Sequence, residues 1–160
     1  MNWNIGFIGL GNIGGAMAER ILSFNGRLLV YDVRQEAVDK LVSRGAQEAK
    51  TLAEMAEACD YIFTSLPNGP IVTSVVAGEQ GMLTSLKPGT TIVEMSTIDR
   101  DTMRKLERQL SKRDVILLDV PVSGSPNEAR SGQLKLITAG DTLALAKFEP
   151  VLRHLGETIG

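Results

Sequence analysis

Six residues near the N-terminus carry the most specific chemical signal in the chain: Gly9-Leu10-Gly11-Asn12-Ile13-Gly14. A G-x-G-x-x-G run is weak evidence alone. Here an apolar segment precedes it and a helical pattern follows, which is the context a phosphate-binding turn needs. In that setting Gly9 permits a tight turn, Gly11 lets a pyrophosphate approach the backbone, and Gly14 lets the helix pack on a sheet. The helix N-terminus then offers free N–H groups and partial positive charge to a phosphate. An acidic residue should close the next strand roughly 20 positions later, where it holds the ribose hydroxyls of a dinucleotide. Asp32 stands 18 positions after Gly14. Its carboxylate favours NAD, because it repels the extra 2′-phosphate of NADP. Arg34 keeps NADP as the alternative, since a guanidinium pairs with that phosphate.

A second constellation is Pro121-Val122-Ser123-Gly124, which leaves an apolar strand. It puts a hydroxyl and two backbone N–H groups at the carboxyl edge of a sheet, the crevice where open α/β sheets bind ligands. A small anion, such as a substrate carboxylate, suits Ser123 and the N–H groups around Gly124.

Other reactive side chains are few. One histidine, His154, leaves no His pair for zinc or iron, and one cysteine, Cys59, excludes an intramolecular disulfide and any multi-cysteine metal site. No basic residue flanks Cys59, so it reads as a packed thiol. His154 near a helix C-terminus reads as a complement to the helix dipole. Arg100, Arg104, Arg108 and Lys112 recur every fourth residue among Asp101 and Glu107, the pattern of a solvated helix face.

The elements that must hold these residues alternate. Strands are predicted over 3–8, 27–31, 60–66, 90–95, 115–118 and 134–138, with a short edge strand over 46–49 and a further one opening at Thr158-Ile159. Helices are predicted over 12–24, 35–43, from a Thr51 cap through Ala58, from an Asp99 cap through Ser111, and over 142–155. Glu54, three residues after Thr51, completes a capping box. Pro67-Asn68-Gly69-Pro70 breaks a strand, 71–77 suits one or two helical turns, 78–87 an irregular or helical connection, and 124–132 a long loop. Strands alternating with helices across short connections imply an α/β, Rossmann-type, doubly wound fold: a mostly parallel sheet with helices on both faces.

Composition agrees. With 160 residues, 43% hydrophobic and 22% charged, the chain suits one globular domain that hides about 70% of its unfolded surface. A net charge of −2 argues against a nucleic-acid surface, and 4% aromatics are too few for a base-stacking platform. No apolar run reaches the roughly 20 residues of a membrane span, and no basic residue precedes the first apolar stretch as a signal peptide requires. A cytoplasmic domain that binds a small ligand is the expectation.

On these motifs the chain resembles the β-hydroxyacid dehydrogenase family, which includes 3-hydroxyisobutyrate dehydrogenase, tartronate semialdehyde reductase and, more distantly, 6-phosphogluconate dehydrogenase. Four stretches carry the resemblance, from the start of the chain to about Leu134. Gly6 to Gly14 resembles the cofactor signature, with Ile13 where Met is usual. Leu66-Pro67-Asn68 resembles the segment that passes over the cofactor, and Ser96-Thr97-Ile98 the segment near the nicotinamide ribose. Asp119 to Gly124 resembles the substrate-binding signature. The resemblance implies cofactor contacts at Gly9, Leu10, Gly11, Asn12, Ile13, Gly14, Asp32, Arg34, Leu66, Pro67 and Thr97. It implies substrate contacts at Ser123, Gly124 and Ser125. Ser125 replaces a usual second glycine and Glu128 a usual small residue, so the pocket is narrowed or more charged.

The activity implied is hydride transfer between a nicotinamide cofactor and a small β-hydroxyacid or its semialdehyde, by an enzyme that is commonly a homo-oligomer. The family's catalytic lysine, with an asparagine a turn later, lies on a helix beyond the cofactor domain, and no lysine here sits in that motif. Residues 1–160 are therefore expected to form the dinucleotide-binding domain of an enzyme about twice as long, the all-helical lysine domain being absent and the isolated domain inactive. An imine-reductase-like domain and a non-catalytic dinucleotide-binding scaffold are the alternatives. If a second domain covers the carboxyl edge, then Val151, Leu152, Leu155 and Ile159 should be exposed and drive dimerisation of this chain.

Overall fold

Six short strands form one parallel sheet: β1 (Ile5–Ile8), β2 (Leu29–Tyr31), β3 (Gln47–Glu48), β4 (Tyr61–Thr64), β5 (Thr91–Glu94) and β6 (Ile116–Asp119). A computed structural model describes residues 3–159; Met1, Asn2 and Gly160, the ends of the expected 1–160 domain, lie outside them. The strand order is β3-β2-β1-β4-β5-β6, so the order reverses at β1 and leaves a crevice between the loops of β1 and β4. The helices are α1 (Asn12–Asn25), α2 (Gln35–Val42), α3 (Leu52–Ala58), α4 (Gly69–Ala77), α5 (Arg100–Ser111), α6 (Pro126–Ser131) and α7 (Thr142–Leu155). Among the described residues no helix is long and apolar enough to cross a membrane.

Both sheet faces are covered, as the apolar strands require. Phe7, Val30, Phe63, Val93 and Leu118 meet α1, α2, α6 and α7 on one face. Ile8, Ile62, Ile92 and Leu117 meet α3, α4 and α5 on the other. Burial on both faces is why the strands read as continuous apolar runs rather than alternating ones. The doubly wound α/β expectation is met.

Local chemistry sets most boundaries. The Thr51 hydroxyl accepts the Glu54 N–H at 3.1 Å, while the Glu54 carboxylate takes the Lys50 N–H instead of Thr51's, so the expected box reaches one residue further back. Asp99 caps α5 through the Thr102 N–H at 3.0 Å. Gly26, at φ +81°, ends α1 in the left-handed region that side chains avoid.

The structure departs from the sequence expectations in three further places. Pro67–Pro70 does not only break a strand: Asn68 caps α4 and Pro70 occupies its first turn, where a missing N–H does no harm. Residues 78–87 form turns, the irregular of the two forms expected there. The expected loop at 124–132 contains α6, because Ser125 and Glu128 form a complete capping box, Pro126 leads the helix, and Gly132 ends it at φ +73°. Finally, a three-stranded sheet of β7 (Val122–Ser123), β8 (Leu134–Ile137) and β9 (Gly156–Ile159) stands beside the six-stranded one. β7 pairs antiparallel and β9 parallel to β8. β9 follows α7 with no loop between, and a Cβ at Gly156 would collide with the Leu134 carbonyl, which admits only glycine there.

That small sheet overturns one expectation. It folds α7 back over α1, so Val151, Leu152 and Leu155 are buried, while Ile159 alone of the four is exposed.

Candidate functional site

At the point where strand order reverses, a cleft of ≈ 430 Å³ opens over the carboxyl ends of β1, β2 and β4. The turn from β1 to α1 forms its floor. Gly9 adopts φ +98°, and a Cβ there would collide with the Ser65 carbonyl. A Cβ at Gly14 would strike the Gly9 carbonyl. These two glycines let the turn close and the helix approach. Gly11 differs: nothing lies within 4 Å of the position its Cβ would take, so its backbone faces open space. No side chain caps α1, and no acidic residue sits in its first turn. The N–H groups at this end therefore lack intrahelical partners and remain available to an anion. The cradle fits a pyrophosphate.

Asp32, at the end of β2, is locked in place. Its carboxylate accepts the Leu10 N–H at 2.6 Å and the Arg34 N–H at 2.8 Å. The Arg34 Nε lies 3.5 Å from the same carboxylate, and its guanidinium also donates to the Leu10 carbonyl at 3.3 Å. The Arg34 side chain is 52% exposed and that of Asp32 only 9%, so the arginine is the free-moving partner.

The structure brings Gly9, Gly11, Asn12, Ile13, Gly14, Asp32, Arg34, Leu66 and Pro67 to this one cleft. Leu10 contributes its backbone while its side chain is buried. Thr97 follows β5, and Ser123 and Gly124 lie at the end of β7; all three are exposed and stand outside this cleft. Gly124 adopts φ +145°. Both polar groups of Ser125 are taken: its hydroxyl accepts the Glu128 N–H at 3.2 Å and its N–H donates to the Glu128 carboxylate at 2.8 Å. Ser125 and Glu128, expected to narrow a pocket or add charge to it, together start α6.

Sequence reasoning missed the apolar wall. Ile71 and Val75, one turn apart on α4, face the cleft together with Val33, which is 90% exposed. The i, i+4 spacing of Ile71 and Val75 was the available signal. A second cleft of ≈ 200 Å³ adjoins the first through Gly11, Asn12 and Arg34, and brings Lys40, Arg130, Glu19 and Glu36 beside them, with Arg130 3.6 Å from the Glu19 carboxylate.

Behind the cleft, Glu94 ends β5 with no exposure. Its carboxylate accepts the Thr64 hydroxyl at 2.6 Å and the Ser96 N–H at 2.9 Å. Burial pushes its carboxyl above the usual range, against the pull of the Ser96 hydroxyl, the Thr64 hydroxyl and the Ser96 N–H, and the facing charge of Asp119 adds a little. Burial also raises Asp119.

The remaining candidates settle as structural. Cys59 is buried and its thiol is pushed up to about 12 by burial, as its packed reading expects. The four-cation stripe of α5 is exposed. His154 lies in the last turn of α7, as expected; its ring centroid is 4.5 Å from that of Phe24, and burial beside Arg20 lowers its proton affinity.

Comparison with known proteins follows the same lines. The family described as the NAD binding domain of 6-phosphogluconate dehydrogenase matches residues 4–160. The chain is 36% identical over 156 residues to 3-hydroxyisobutyrate dehydrogenase of Pseudomonas aeruginosa, covering 98% of this chain and 52% of that protein. It is likewise 36% identical over 155 residues to the NAD-dependent L-serine dehydrogenase of the same organism, covering 97% and 52%. The solved 3-hydroxyisobutyrate dehydrogenase of Mycobacterium tuberculosis with L-serine superposes at TM-score 0.92 and 26% identity, over 99% of this chain and 54% of that one. The chain thus spans about half the length of the curated relatives it matches.

Proposed function

The chain belongs to the family of NAD binding domains of 6-phosphogluconate dehydrogenase, and from that premise we propose that it is the cofactor-holding part of an oxidoreductase for a small β-hydroxyacid or its semialdehyde. The observation that carries this reading is the pairing of Gly11, open onto the cleft, with the Asp32 carboxylate anchored beside the same turn by the Leu10 N–H. The N–H groups of Asn12, Ile13 and Gly14 hold the pyrophosphate. Asp32 accepts the adenosine ribose hydroxyls, and Val33, Ile71 and Val75 offer an apolar seat to the adenine. When bound, the nicotinamide supplies or takes up the hydride.

NAD is the preferred form, because the Asp32 carboxylate would accept a ribose 2′-hydroxyl and repel a phosphate in its place. Arg34 and Lys40 at the adjoining cleft support a weaker NADP mode, reached when Arg34 turns from Asp32 to the phosphate; Glu19 and Glu36 line the same cleft and Glu19 pairs with Arg130, which keeps that mode the weaker one. Thr97 adjoins the nicotinamide ribose. Ser123 and the Gly124 N–H hold a substrate carboxylate, Ser125 supporting them as the cap of α6. In this reading residues 1–160 are one dinucleotide-binding domain, and proton transfer is the work of a lysine on a helical domain outside them.

Calorimetric titration of the chain with NAD and with NADP tests the proposal. Saturable NAD binding, tighter than NADP and accompanied by a raised melting temperature, is expected. Absence of heat and of any melting shift at millimolar NAD would refute the cofactor reading. Steady turnover of 3-hydroxyisobutyrate by the 160 residues alone would refute the assignment of proton transfer elsewhere, since a missing general acid–base typically costs about 10²–10⁴-fold.

A further inference from the structure

A buried carboxylate that touches no part of the cleft is coupled to it through two hydrogen bonds. The register Ile8↔Thr64↔Glu94 runs straight across β1, β4 and β5, at the last residues before the loops that frame the cleft. Glu94 binds both flanking segments, Thr64 through its hydroxyl and Ser96 through its N–H. The Ser96 hydroxyl accepts the Leu66 N–H at 2.7 Å. Leu66 and Pro67 form the cleft wall, and the Ser65 carbonyl is the atom against which Gly9 closes. The path from Glu94 to the glycine turn is therefore continuous: Glu94, Ser96, Leu66, Ser65, Gly9.

We propose that Glu94 is a positioning residue for dinucleotide binding: through Ser96 it tethers the Leu66–Pro67 wall to the end of β5 and keeps the cleft at its binding width. This rests on the reading of the cleft as a dinucleotide site. An apolar residue would fill the buried space of Glu94 more cheaply, because a carboxylate held away from water needs every hydrogen bond it can make. The hydrogen bonds it makes, to Thr64 and Ser96, are spent on the segments that border the cleft. Removal of the carboxylate frees the Ser96 N–H, lets the Ser96 hydroxyl turn away from Leu66, and loosens the wall.

The test is calorimetric NAD titration of five proteins: wild type, Glu94→Gln, Glu94→Leu, Ser96→Ala and the Glu94→Leu/Ser96→Ala double variant that closes the cycle. Loss of one organised hydrogen bond should weaken NAD binding about 3- to 10-fold in Glu94→Leu and in Ser96→Ala. Glutamine keeps an oxygen for the Ser96 N–H and an amide donor for the Thr64 hydroxyl, so Glu94→Gln should stay within about 2-fold of wild type. The double variant should lose no more than either single one, because both cut the same tether. A structural role alone would lower the melting temperature without this non-additivity in affinity.

Wild type that fails to bind NAD would sink the reading of the cleft and leave the tether without a role. Wild type that binds while Glu94→Leu binds equally well would overturn this proposal only. Glutamine losing as much as leucine, or additive losses in the double variant, would overturn it too. Should Glu94→Leu fail to fold, Ser96→Ala against Glu94→Gln still decides: wild-type affinity in Ser96→Ala refutes the tether.

Discussion

Replacing Asp32 with alanine separates what this carboxylate does for binding from what it does for folding. For binding, the ribose hydroxyls lose a charged acceptor, and hydrogen bonds to charged groups contribute about 1.5–3 kcal/mol. NAD affinity should therefore fall about 10- to 150-fold. For folding, the Leu10 N–H loses its 2.6 Å partner in a partly buried turn, a penalty of about 1–3 kcal/mol. The ion pair with Arg34 adds little, because that side chain is 52% exposed and solvent screens the pair. For a chain of this size the melting temperature should drop roughly 3–10 °C. Arg34, no longer held, becomes free to meet a 2′-phosphate, so NADP should lose far less affinity than NAD, and the preference should narrow or invert. Calorimetric titration of both cofactors on folded protein, with a thermal melt alongside, measures all three effects. A folded Asp32→Ala that binds NAD within 2-fold of wild type would refute the role given to Asp32. An unchanged melting temperature would refute the anchoring of the glycine turn.

Glu94, with its carboxyl raised by burial, contributes stability that is complete below its ordinary value of 4.5 and is lost as pH rises through the raised value; the urea midpoint of wild type should fall relative to Glu94→Gln from acid to neutral pH, Asp119 being common to both, and a pH-independent difference would contradict this. Ser125→Ala removes the cap of α6 and should cost about 1 kcal/mol, read by urea unfolding, while a larger loss of cofactor binding than of stability would contradict its role as a helix cap. Leu155→Glu puts a charge into a fully buried site and should destabilise by more than about 3 kcal/mol in the same assay; a wild-type midpoint would mean that this residue faces solvent after all.

Features under local chemical control can be read along the chain. Gly9, Gly11, Gly14 and Asp32 were legible because a turn, a close backbone approach and a strand-end carboxylate each demand a particular residue type at a particular distance along the chain. The strands of the parallel sheet were legible because burial on both faces leaves uninterrupted apolar runs. The caps at Thr51 and Asp99 were legible for the same local reason. Even α6 was written locally, in Ser125-Pro126-Asn127-Glu128, although its polar composition reads as loop.

Tertiary structure alone decided the rest. The face on which Val151, Leu152 and Leu155 lie follows from β9 pairing with β8 across α7, a contact between segments some 20 residues apart that no periodicity records. The adjoining cleft joins Arg34 and Lys40 of one segment to Arg130 of another. Glu94 reads in sequence as one polar residue closing an apolar strand. Only the register of β1, β4 and β5 sets it beside Thr64, and only the turn after β5 hangs Leu66 from Ser96. Buried polar groups must find partners wherever the fold brings them, so their partners are a property of packing rather than of spacing.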